Sequence, residues 1–168
     1  MKKTLILAII ATAAISGADS FKKEIAKHDS HIKAFFLKRD ADGFGKYIRP
    51  FVTSDFVHSE HGQTMNFDQM MGEMKMGLGM YKKIDTVSMK YMSTSSKGNE
   101  GWATCWHKMG GTMVGADKKT HRMEFIGTTK NTYRKENGEW KLAKMEWTED
   151  KMMLDGKPFD PSAQGHGK

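Results

Sequence analysis

Near Lys83 the apolar residues of this chain change their spacing, from the three-and-four rhythm of helices to the every-second-residue rhythm of strands. Before that point, Phe21, Ile25, His28, Ile32, Phe35 and Phe36 mark one face of a helix capped by Ser20 and running to about Arg39. A second, short helix is expected from Asp42, carrying Phe44, Tyr47, Ile48 and Phe51, with Pro50 kinking or ending it. Thr53 to Ser59 reads as a short extended segment. Asn66 and Gln69 have capping-box spacing ahead of a third helix striped by Phe67, Met70, Met71, Met74, Leu78 and Tyr81. Past Lys83, Val87, Met89 and Tyr91 alternate with polar residues, and Ser96 to Asn99 turns the chain into a strand from Gly101 to about Val114. That strand is expected to break or bulge at Gly110-Gly111. A third strand spans Thr120 to Lys135. Asn137-Gly138 is a two-residue hairpin signal that pairs Glu136 with Glu139, and the last strand runs to about Glu149 with Met152 to Leu154 as an extension. Three helices followed by a four-strand meander predict an α+β fold, with an antiparallel sheet carrying its helices on one face.

Composition removes several function classes. The 168 residues contain a single Cys, so neither an intramolecular disulfide framework nor a cysteine zinc module is available. The formal charge of +7 comes from lysines scattered over both halves, without an arginine-rich helix or an aromatic RNA motif, so nucleic-acid binding is not expected. Met1-Lys2-Lys3, the apolar run Leu5 to Ile15, and small residues ending at Ala18 have the layout of a signal peptide over residues 1–18, with cleavage after Ala18. No later stretch has the roughly 20 apolar residues that a bilayer-spanning helix needs, so membrane insertion is not expected. The mature domain is then placed at residues 19–157, followed by a polar tail at 158–168, in the periplasm or outside the cell.

The long amphipathic helix, the segment Phe51-Val52-Thr53-Ser54-Asp55-Phe56-Val57-His58 leading to Gly62, and the ending Tyr133 to Leu142 together resemble the nuclear transport factor 2-like superfamily, in particular its bacterial SnoaL-like members. The resemblance implies a cone in which a curved antiparallel sheet wraps around N-terminal helices and encloses a cavity. It further implies frequent homodimers, and uses that range from isomerases and hydratases to ligand binding without catalysis.

Counting back from the Asn137-Gly138 turn, an unbroken register opposes Tyr133 to Leu142, Asn131 to Lys144 and Thr129 to Glu146. Glu146 then faces the cavity and is the first candidate for a catalytic base, with His58 the second. An ion pair of Glu146 with Lys144 or Lys130 at a wet rim is the competing reading. The expected pocket lining is Tyr47, His58, Trp106, His107, Phe125, Thr129, Asn131, Lys144 and Glu146. The parity of the 101–109 strand is open, so the cavity receives either Trp106 or the Cys105 and His107 pair. Ile126, Met145 and Trp147 are expected on the outer sheet face, where they would form a homodimer contact.

Methionine is the compositional outlier, 15 in all. Met70, Met71 and Met74 share the stripe of Phe67 and Leu78 and read as packing or as an adaptable cavity wall. Met74, Met76 and Met80, with His58, form the alternative Cu(I) set. No HxH or HxxxH pair has a third ligand nearby, so no metal centre and no cofactor is expected. The function expected is binding of a small apolar or amphipathic molecule in a helix-capped cavity, with a cofactor-free isomerase or lyase using a cavity Glu or His as the alternative. For the export signal, the intact mass of protein recovered from the periplasm should correspond to a chain starting at Asp19 or close by, and retention of Met1 would exclude the assignment.

Overall fold

The computed structural model describes residues 19–115 and 117–159; the leader-like segment and residues 160–168 of the expected tail lie outside them. The elements are α1 (19–26), α2 (Asp29–Lys38), α3 (Ala41–Ile48), β1 (Val52–Glu60), β2 (Gln63–Met65), α4 (Phe67–Gly79), β3 (Lys83–Lys97), β4 (Glu100–Val114), β5 (Thr120–Glu136), β6 (Glu139–Leu154) and β7 (Lys157–Phe159). The helix expected without a break from Ser20 to Arg39 is two helices, because Lys27 and His28 form a turn between them. Asp40 rather than Asp42 opens α3, its carboxylate accepting a hydrogen bond from the Gly43 amide at 2.8 Å. Pro50 lies in a short 3-10 turn that ends the helical layer. The capping box of α4 is reciprocal: the Gln69 amide donates to Asn66 Oδ1 and the Asn66 amide to Gln69 Oε1, both at 3.0 Å.

The strands form one sheet in the order β2-β1-β6-β5-β4-β3, with β7 attached to β6. Its long strands are the expected antiparallel meander. The sheet as a whole is mixed rather than antiparallel, because β1 pairs with β6 in parallel, Val52 beside Leu142 and His58 beside Met145. Apolar periodicity carries no direction, and β1 and β6 are joined through most of the chain, so no hairpin forces them to run opposite ways. β7 carries regular structure through Phe159, into the stretch assigned to the tail.

Register is where the sequence expectation departs most from the structure. From the Asn137-Gly138 turn the ladder pairs Glu136 with Glu139 and Tyr133 with Leu142, and then Thr132 with Lys144, which leaves Ala143 as an extra residue. Beyond it Asn131 opposes Met145, Lys130 opposes Glu146 and Thr129 opposes Trp147. A side-chain period of two means that one extra residue exchanges the faces of everything that follows. Met145 and Trp147 therefore turn inward while Lys144 and Glu146 turn outward. Conversely, β4 is continuous through Gly110-Gly111, and the irregularities of that pair lie in β3, at Asp85 and Met92.

Three apolar clusters hold the helices on the concave face. Phe21 packs over Gly101, with its ring centroid 4.8 Å from that of Trp140 and 5.4 Å from that of Tyr133. Leu78, Tyr81 and Ile84 pack with Ala41 and Met123, and Val52 and Phe56 pack with Phe67 and Met70. Gly111 is needed here because any Cβ would lie 2.0 Å from the Lys83 carbonyl oxygen, which is backbone and has no rotamer to yield. Gly111→Ala should therefore lower the unfolding free energy by about 2–3 kcal/mol. Gly72→Ala, on an open face of α4, should raise it by about 0.5–1 kcal/mol. Urea midpoints of the two variants measure both effects, and a neutral Gly111→Ala would refute the packing argument.

Candidate functional site

Between the helices and the inner faces of β3 to β6 lies a cavity of about 540 Å³. Its walls are mostly aromatic, aliphatic and methionine side chains. Ile25, Ile32, Phe36 and Phe44 come from α1 to α3, Met70 and Met74 from α4, and Met89, Met109, Phe125, Met145 and Trp147 from the sheet. The inner rows explain this lining. Tyr91, Cys105, Thr129 and Trp147 form one row across β3, β4, β5 and β6, and Met89, His107 and Gly127 form the row beside it. Gly127 leaves room for the indole: a Cβ there would be 2.7 Å from Trp147 Cζ3. The Trp147 ring packs edge-on to Phe125 at 5.1 Å and tilted on His107 at 5.2 Å.

A few polar groups interrupt the apolar wall. The turn at Lys27-His28 places Asp29 in the first turn of α2, where its Oδ1 accepts a hydrogen bond from the Tyr91 hydroxyl at 3.0 Å. Burial pushes the Asp29 carboxyl above its usual range, and the Tyr91 hydrogen bond opposes that shift. Burial likewise raises the hydroxyls of Tyr91 and Tyr133. The Cys105 thiol, pushed up to about 12 by burial, is protonated and not a nucleophile at neutral pH. Burial pulls His107 down to about 4, so its ring is neutral, and its Nε2 shares a 2.9 Å hydrogen bond with Thr129 Oγ1. Asn131 sends its amide toward Cys105 Sγ at 3.6 Å and keeps a buried Oδ1 with no partner among the described residues. The cavity thus offers an acceptor carboxyl with a tyrosine donor, a neutral imidazole and a free amide oxygen, all in low-dielectric surroundings.

Of the residues expected to line the pocket, His107, Phe125 and Asn131 do so. Thr129 is fully buried behind His107 and is not part of the lining. Trp106 faces outward between Lys90 and Thr128, because the alternation of β4 puts Cys105 and His107 inside. Tyr47 lies in the helical layer, its hydroxyl 2.8 Å from His28 Nδ1 and its ring stacked on His31, and does not line the cavity. Glu146 and Lys144 are removed from it by the Ala143 bulge and pair with each other at 2.7 Å on the outer face, each nearly half exposed. The Lys144 ammonium holds the Glu146 carboxyl below its usual range, the reverse of what a general base requires. His58 is buried on the inner face of β1 beside Met145, outside the lining, with Nε2 3.2 Å from Glu60 Oε2.

The same bulge removes Met145 and Trp147 from the expected dimer face. Trp102, Trp106 and Ile126 remain on the outer face, interleaved with Thr and Lys. The copper set disperses as well. Met74 lines the cavity, Met76 is 69% exposed, and two residues along a helix turn the direction by about 200°.

Sequence reasoning missed Asp29 and Trp147. Asp29 carried a usable signal: it lies four residues after Ile25 and three before Ile32, a carboxylate on an otherwise apolar helical face. Trp147 carried none, because its face depends on the bulge.

No protein-family model and no curated protein matches the chain. Among solved structures, a protein of Kribbella flavida superposes with TM-score 0.61 at 9% identity, over 79% of this chain and 93% of that one. A nuclear transport factor 2-like protein of unknown function from Pseudomonas putida gives TM-score 0.54 at 15% identity, over 89% and 94%. A candidate dehydratase of that same family from Streptomyces avermitilis gives TM-score 0.54 at 10% identity, over 77% and 96%.

The neutral state of His107 has a consequence for stability. The unfolded ring binds a proton below about 6.5 and the folded one only below about 4, so between those values the unfolded state holds more protons and folding weakens as pH falls. Stability should be fully present above pH 6.5 and decline toward pH 4 by about 3 kcal/mol at most. His107→Gln should flatten the pH profile of the denaturation midpoint relative to the unmutated protein, and an unchanged slope would show that the imidazole is not desolvated. The curved mixed sheet, the helices on its concave face and these superpositions give the chain the nuclear transport factor 2-like fold.

Proposed function

We propose that this protein binds a small, largely apolar molecule bearing a hydroxyl or carbonyl group. The observation that carries this reading is the cavity itself. Its volume of about 540 Å³ falls in the about 300–1,000 Å³ range of small-molecule pockets, its walls are aromatic and methionine-rich, and its hydrogen-bonding groups are few and convergent. The Asp29–Tyr91 pair fits a polar head group, and Asn131 Oδ1 gains from any ligand donor that reaches it. The methionines on three walls suit a site that adapts to ligand shape. If the export signal at residues 1–18 is used, the ligand is met in the periplasm or outside the cell.

One observation favours a second reading, a cofactor-free isomerase or lyase. A buried carboxyl raised above its usual range, hydrogen-bonded to a tyrosine inside an apolar cavity, is equipped to take a proton from a carbon next to a carbonyl. The catalytic candidate is then Asp29 and not Glu146. The candidate dehydratase from Streptomyces avermitilis shares the fold, and the likeness extends no further.

A neutral aromatic alcohol such as 1-naphthol is a suitable probe, because its ring matches the walls and its hydroxyl the polar pair. Binding followed by Trp fluorescence should be saturable and should weaken at least tenfold in Met145→Trp, which fills the cavity. Asp29→Asn should change the affinity by about 1 kcal/mol, the loss of one hydrogen bond. Abolished turnover of a carbonyl substrate in Asp29→Asn, with binding retained, would establish the enzyme reading instead. Probe binding indifferent to Met145→Trp would refute the cavity as the site.

A further inference from the structure

We propose that Glu60, His61 and Asp150 form a binding site for a divalent transition-metal ion of the zinc and cobalt class. One donor atom from each side chain lies within 4.8 Å of the other two, and His61 Nε2 is 3.0 Å from Asp150 Oδ1. Small side-chain rotations bring such a set onto one ion, whose ligand bonds are about 2.0–2.2 Å long. Two carboxylate oxygens with one imidazole nitrogen suit borderline divalent ions and not Cu(I), which takes thiolates and thioethers.

The donors come from two distant parts of the chain. Glu60 ends β1, His61 opens the turn into β2 in the left-handed backbone region at φ 49°, and Asp150 lies on β6 opposite Gly127. None of the three lines the cavity, so the site is independent of the ligand-binding reading. The two carboxylates are mostly buried, 27% and 19% exposed, whereas His61 is 70% exposed. Two partly desolvated anions drawn together with one imidazole between them repel each other unless a cation joins them. Water fills the remaining coordination positions on the open side.

His58 is the second, independent observation. Its side chain is 5% exposed, its Nε2 is 3.2 Å from Glu60 Oε2, and its Nδ1 is buried with no partner among the described residues. A proton on Nδ1 would leave a buried donor unsatisfied and set the Nε2 lone pair against a carboxylate oxygen. The favoured ring is neutral with its proton on Nε2, donated to Glu60. One Glu60 oxygen is thereby held in place and the other is left for the ion, the arrangement by which buried histidines orient metal-binding carboxylates. The ladder between β1 and β6 ends at Ser59 and Glu146, and the ion would join the two strands beyond that point.

The test uses the untagged full chain, freed of metal by a chelator and titrated with Zn²⁺ alone in a calorimeter, and with Co²⁺ alone by visible absorption. One equivalent should bind with micromolar affinity, Co²⁺ should develop a d–d band, and Tm should rise with metal concentration because the ion binds the folded state. Asp150→Asn and His61→Asn should each weaken binding at least tenfold. Asn at position 61 tolerates the left-handed backbone, so the second variant keeps the turn while losing the imidazole. Glu146→Gln, on the outer face, should bind as the unmutated protein does. Absence of saturable binding below millimolar metal, or binding that survives both ligand variants, would overturn the assignment.

Discussion

One unpaired residue, Ala143, decides what this protein's interior is made of. Strand β6 leaves the Asn137-Gly138 turn in simple register and keeps Trp140 and Leu142 on the concave face. The extra residue then resets the alternation, so that Met145 and Trp147 face the helices and the Lys144–Glu146 ion pair faces outward. Without it the same strand would put two opposite charges against Asn131 and Thr129 in low dielectric and leave an indole in solvent, which is unfavourable on both sides. The bulge is consistent with a sheet that must curve, since an extra residue bends its strand and increases the local twist. Curvature and chemistry of the concave face therefore follow from one local irregularity.

Given that face, the helices have little freedom. Phe21 occupies the space above Gly101, and Leu78 and Tyr81 close the far end near Gly111, in each case where a missing Cβ admits a close approach. The helices cover the sheet edges of the cavity without filling its centre, so a void remains that is lined by rings and thioethers. The polar groups within it are held in their neutral forms or paired. His107 is neutral by desolvation and bonded to Thr129, and Tyr91 donates to Asp29. Burial works against Asp29 ionising while the tyrosine works for it, and that balance suits the carboxyl to recognising a polar head group or exchanging a proton with one.

Much of this was legible in the residues. Rhythm separated helices from strands, the Asn66–Gln69 capping box and the Asn137-Gly138 turn located their elements, and the α+β class followed from their order. For the site, the residues on β4 and β5 close to the core pattern, His107, Phe125 and Asn131, were within reach of simple alternation. Asp29 was not recognised because the break at Lys27-His28 is invisible in a stripe that continues through it. Glu146, Lys144, Met145 and Trp147 were each assigned to the wrong face for a single reason: alternation propagates an error of one residue along the whole remaining strand.

The sequence by itself determined the element types, the hairpin order of the four long strands and the apolar character of their inner rows, because these depend on near neighbours and on side-chain period. Tertiary structure decided the parallel pairing of β1 with β6, the reset at Ala143 and the meeting of Asp29 with Tyr91. It also brought Glu60 and His61 to Asp150. These depend on how a twisted sheet bends around its helices, and that bending is set by packing between residues tens of positions apart, a quantity that no local pattern of residues contains.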